Sequence, residues 1–76
     1  MAVQAYVLVN LEASNLTHTM KAIRTIRQVK SADAVIGPYD CIVYIEADTM
    51  DALGKIVVDK LLKVEGVAKT LTCVKI

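Results

Sequence analysis

The stretch Val35-Ile36-Gly37-Pro38-Tyr39-Asp40-Cys41-Ile42-Val43-Tyr44-Ile45-Glu46 decides how this 76-residue chain folds. Gly37 tolerates backbone angles that other residues resist, and Pro38 fixes φ and lacks an amide donor. The pair therefore interrupts any continuing ladder and marks a turn. Residues 31–36 before it form a short β-rich run. Residues 39–47 after it set Cys41, Val43 and Ile45 against Ile42, Tyr44 and Glu46, too β-branched and too short for a helix. The spacing predicts a hairpin with one acidic side chain, Asp40, at the start of its second strand.

Working outward, residues 3–12 alternate. Val3, Ala5, Val7, Val9 and Leu11 share one face, and Tyr6, Leu8 and Asn10 the other. A polar break over 13–16 leads to a helix capped by Asn15 or Thr17. Met20, Ile23, Ile26 and Val29, with Ala22 beside them, predict its buried stripe through about Lys30, whose charge suits the C-terminal dipole. After the hairpin, Asp48 is the expected cap of a second helix and Asp51 adds negative charge to its first turn. Leu53, Ile56, Val57, Leu61 and Val64 fall on one face of that helix, leaving Val58 and Leu62 outside it. Gly66 ends it, and residues 67–76 close the chain as a strand.

The order strand–helix–strand, turn, strand–helix–strand predicts an α+β, ferredoxin-like βαββαβ fold over residues 1–76. Right-handed crossovers put the first and third strands at the centre of a four-stranded antiparallel sheet, with both helices on one face. A single small domain buries only part of its surface. Yet 55% of the residues are hydrophobic and mean hydropathy is +0.49. The uncovered face carries Tyr6, Leu8, Ile42 and Tyr44 where a monomer would be polar. Two such faces packed back to back predict a homodimer, and Val58 with Leu62 a second contact joining dimers.

Other classes are disfavoured. No apolar run reaches the roughly 18–20 residues of a membrane span, and the N-terminus lacks signal-peptide features, so a cytoplasmic protein is expected. Net charge is +1. The basic row Lys21, Arg24, Arg27, Lys30 has no interleaved aromatics and reads as a solvated helix face rather than a nucleic-acid stripe. Cys41 and Cys73 lie on strands separated by the first strand, two steps of about 4.8 Å and beyond disulfide reach. Both read as small buried hydrophobes in a reducing compartment. His18, the single histidine, sits in the first turn of helix one with no partner at metal-ligand spacing, so neither metal nor cofactor is expected. No nucleophile–base set or glycine-rich phosphate loop can be assembled, and Glu12, Glu46 and Asp48 read as strand-end groups or caps, so the chain is not expected to be an enzyme.

Gly37-Pro38-Tyr39-Asp40 before an apolar strand, Asp48-x-x-Asp51-x-Leu53, Gly66-Val67 and Thr70-x-Thr72 together resemble the effector domain of Lrp/AsnC regulators, called RAM. The resemblance runs from about Val3 to Ile76. It implies a stand-alone RAM protein without the family's helix-turn-helix domain. It also implies a free amino acid as effector, bound around the hairpin tip where dimers meet. Asp40 would take the ammonium group by a charge-assisted hydrogen bond. Backbone N–H groups near Gly37, Tyr39 beside it, and the hydroxyls of Thr70 and Thr72 would complete the shell. The plainer alternatives are that Asp40 satisfies turn amides, Gly37 serves the turn, and the threonines are ordinary strand residues.

Two functions follow. One is an amino-acid sensor that oligomerises and acts on full-length Lrp/AsnC regulators by co-assembly. The other is an interaction module without a ligand. A small ferredoxin-like enzyme is a weaker third, since it would want a His- or Arg-lined cavity.

Overall fold

The computed structural model describes residues 2–12 and 16–76. Strand β1 (Val3–Leu11) is followed by helix α1 (Leu16–Arg24), β2 (Val29–Ala34), β3 (Cys41–Ala47), helix α2 (Met50–Ile56) continuing into a π-helical turn (Val57–Leu61), and β4 (Val67–Val74). The sheet order is β2-β3-β1-β4 with every pairing antiparallel. This is the ferredoxin-like arrangement, with β1 and β3 central.

Alternation along the central strands sorts the sheet into two faces. Ala5, Val7, Val9, Cys41, Val43 and Ile45 are fully buried and pack in one cluster with Met20 and Ile23 of α1 and Leu53, Ile56, Val57 and Leu61 of α2 and its π turn. Both helices therefore cover the same face. Gly66, with φ +99°, turns the chain into β4. A Cβ there would lie 2.5 Å from Thr19 Oγ1, the hydroxyl that donates to the Glu65 carbonyl at 3.1 Å. Glycine is required at this position for both conformation and space.

Several boundaries differ from the sequence reading. Helix α1 ends at Arg24, not Lys30. A stripe repeating every three residues drifts around a 3.6-residue helix, and Thr25 helps end it: its hydroxyl donates to the Ala22 carbonyl at 2.6 Å and competes with the backbone ladder. Val29 and Lys30 consequently belong to β2, which runs Val29–Ala34 rather than 31–36 and leaves Ile36 exposed. The basic row is thus not one helix face. Lys21 and Arg24 lie on α1, Arg27 and Lys30 beyond it, and Arg24 folds over so that Nε and Nη2 donate to the Ala32 carbonyl at 3.2 and 2.7 Å.

The hairpin turn is longer than a two-residue link, since β3 begins at Cys41 rather than Tyr39. The cap of α2 is Thr49, not Asp48. Thr49 is extended and its hydroxyl accepts the Ala52 N–H at 3.0 Å, while Asp51 occupies the first turn. The helical segment stops at Leu61, with the β-branched pair Val57-Val58 at the start of the π turn, and Val64 is half-buried beyond it. Cys73 is exposed, so only Cys41 is a buried thiol. Asn15, one of the two expected caps of α1, lies outside the described residues.

Candidate functional site

The tip of the β2–β3 hairpin is tied to the end of β1. The Val35 N–H donates to the Asp40 carbonyl and the Asp40 N–H to the Val9 carbonyl, each at 2.9 Å. Where β3 leaves the ladder, the Asp40 side chain takes over. Its Oδ2 accepts the Leu11 N–H at 2.8 Å, standing in for a strand carbonyl. Asn10 Nδ2 donates to the Pro38 carbonyl at 3.0 Å and holds the proline against β1. Asp40 is half-buried, and the amide its side chain satisfies is that of Leu11 on β1 rather than a turn amide. That bond engages one carboxylate oxygen, and an ionised carboxylate has about four acceptor positions.

Gly37 is exposed, has no positive φ, and nothing lies within 4 Å of where its Cβ would be. Neither turn geometry nor crowding within this chain demands glycine there. What the absent side chain leaves is open backbone that another group can approach closely.

The face of the sheet away from the helices is apolar at its centre. The Tyr6 and Tyr44 rings are 5.1 Å apart and tilted by 39°, opposite one another in the β1–β3 register. Leu8 lies between Ile42 on β3 and Leu71 on β4, and Cys73 is opposite Tyr6. Tyr6 is 43% and Leu71 48% exposed.

The Lrp/AsnC ligand binding domain model matches residues 4–76. The chain belongs to this family. FFRP-DM1 has 31% identity and a TM-score of 0.90, the alignment covering 97% of this chain and 99% of that one. TTHA0845 from Thermus thermophilus has 27% identity and a TM-score of 0.90, covering 97% and 92%. The transcriptional regulator NMB0573 of Neisseria meningitidis, solved as an L-Met complex, has 22% identity and a TM-score of 0.89. At that identity it shares the fold, and the match spans 97% of this chain but 49% of the regulator. A comparison with proteins of curated function finds no match.

Within this Lrp/AsnC domain the residues expected at the site are only partly brought together. Gly37, Tyr39 and Asp40 share the tip. Thr70 is half-buried opposite Val9, whose carbonyl holds Asp40, but on the far side of β1. Thr72, opposite Val7, is exposed and lines a cleft of about 340 Å³ against α2 with Leu53, Gly54, Val58 and Val74. Asn10 and the Leu11 amide were missed by sequence reasoning, although a polar residue ending an otherwise apolar strand was a usable signal. Leu71 and Cys73 were missed on the helix-free face because the sequence does not set the β1–β4 register.

The buried Cys41 thiol titrates above its ordinary range, chiefly because burial disfavours the thiolate. Arg24 opposes that shift, and Asp33 and Asp40 add to it. Such a thiol is a poor nucleophile. Among the described residues no group of three His, Cys, Asp or Glu side chains comes together as metal ligands, and no helix is long and apolar enough to cross a membrane.

Proposed function

We propose that this domain is a cytoplasmic amino-acid sensor that works as a homo-oligomer and acts on full-length Lrp/AsnC regulators by co-assembly. The observation that carries this reading is the hairpin tip of a ligand-binding domain: an acid with spare acceptor capacity beside a glycine that the chain itself does not need. Asp40 receives the ammonium group of the amino acid, and the open backbone at Gly37 approaches its carboxylate. Tyr39 flanks the ligand, and Thr70 and Thr72, both on β4 beyond β1, reach it from a neighbouring subunit. The L-Met named with the Neisseria regulator supports this class of ligand.

Assembly follows from the helix-free face. Tyr6, Leu8, Ile42 and Tyr44, extended by Leu71, pack against the same residues of a second copy, as an isologous interface requires. Exposed Val58 and Leu62 on the helix side supply a contact between dimers.

Calorimetric titration with the twenty amino acids tests the sensor. Asp40→Asn keeps an acceptor for the Leu11 amide and removes the charge. It should weaken binding roughly ten- to a hundredfold, the range of a lost charge-assisted hydrogen bond, with melting unchanged. No heat with any amino acid at millimolar concentration, or full affinity in Asp40→Asn, contradicts the assignment. A second reading, an interaction module without a ligand, is favoured by one observation: Asp40 Oδ2 is already engaged within the chain, accepting the Leu11 N–H at 2.8 Å. Recovery of a full-length regulator with the tip empty would select that reading.

A further inference from the structure

The geometry points to a second small-molecule site, at the end of the sheet away from the hairpin, that takes a dipolar ion of amino-acid size. The two ends of β3 are about 20 Å apart at the usual rise per residue, so this site is separate from the hairpin tip. A cleft of about 340 Å³ opens here, at the small end of the range for ligand pockets. Ala47 and Ile56, both buried, form its floor. Arg27 and Lys30 line it from the α1–β2 side, Glu46 and Asp48 from the end of β3.

The chain builds this arrangement locally. The β2–β3 register pairs Val29 with Ile45 and then Ser31 with Tyr44, so Lys30 is the extra residue of a bulge. Bulges re-aim a side chain out of the regular alternation. The Glu46 N–H donates to the Gln28 carbonyl at 3.1 Å and holds the connection carrying Arg27 against the end of β3. Gln28 is held from its other side, with Lys60 Nζ 3.3 Å from Oε1.

The charges around the cleft are two of each sign, and among the described residues no salt bridge joins them. That balance selects the ligand. A simple anion gains from Arg27 and Lys30 but meets Glu46 and Asp48, and a simple cation meets the reverse. A molecule with a carboxylate at one end and an ammonium at the other satisfies both pairs, and its aliphatic part covers the apolar floor.

The test uses the whole chain and three probes of one shape: L-leucine, 4-methylpentanoate, which lacks the ammonium, and 3-methylbutylamine, which lacks the carboxylate. Backbone amide spectra are followed at Gln28, Glu46, Asp48 and Ala52 for the cleft and at Leu11, Gly37 and Asp40 for the tip. Leucine should shift the cleft amides saturably at millimolar concentration, and each half-molecule should bind about tenfold more weakly or worse. Lys30→Met and Glu46→Gln should each weaken the cleft response by a similar factor, with the rest of the spectrum folded and the tip response unaltered. Shifts confined to the tip overturn this inference and leave the sensor reading intact. Cleft shifts without tip shifts do the reverse. Equal response to leucine and either half-molecule, or no saturable cleft shift, overturns the dipolar site.

Discussion

One four-stranded sheet presents two faces built from the same two central strands. On one, Val7, Val9, Val43 and Ile45 are completely buried beneath α1 and α2. On the other, Tyr6, Leu8, Ile42 and Tyr44, their immediate neighbours in sequence, have no helix over them. A sheet covered on one side ordinarily turns polar residues to water on the other. Here the second face keeps an aromatic pair and two aliphatic residues, joined by Leu71 of β4. Burial within the chain explains one half of the apolar pattern, and the homo-oligomer proposed above would account for the other.

Paired substitutions separate the halves. Ile45→Ala leaves a cavity under the helices and should cost about 2–5 kcal/mol of folding stability by urea denaturation. Ile42→Ala, three positions away on the other face, should cost the isolated fold about 1 kcal/mol or less. Similar losses for the two would erase the distinction. Tyr44→Ala should instead weaken association, by about 2 kcal/mol or roughly thirtyfold in the dissociation constant, if the tyrosine pair anchors the contact. Sedimentation over a range of concentrations reads this directly.

The cysteines report on the two faces without altering them. Cys41 lies in the core and Cys73 on the helix-free face. Cys41 should resist alkylation throughout. Cys73 should react slowly in the assembled protein and quickly in Tyr44→Ala at low concentration. A Cys73 that reacts at the same rate in both would argue against coverage of that face. The smallest expected effect concerns pH. The Cys41 thiol is raised in the folded state, so folding retains a proton that the unfolded chain releases first. Its contribution is whole below the ordinary thiol range and lost as pH climbs through and above it, a decline that Cys41→Ser should remove.

Much of the fold was legible because the two central strands carry strict alternation, which a periodicity argument reads without tertiary information. Helix ends were not. The three-residue spacing of Met20, Ile23, Ile26 and Val29 looked helical, while the Thr25 hydroxyl and the pairing of Gln28 with Glu46 ended the helix and began a strand. The cap of α2 went to Thr49 over Asp48 by a choice of one backbone conformation that composition does not encode. At the site, the acid at the tip stood out by residue type. Its partner Leu11 lies 29 residues away, and such contacts are set by topology alone. The cleft at the other end of the sheet was invisible for the same reason, because Arg27 and Lys30 share a lining with Glu46 and Asp48 only after β2 has paired with β3.

The most direct test is the mass of the purified chain in solution, by sedimentation or light scattering. A homo-oligomer built on the helix-free face gives a species at a whole multiple of 8.3 kDa, two or more, that holds together on dilution. A stable, folded 8.3 kDa particle at every concentration, with Tyr6 and Tyr44 open to water, would contradict it.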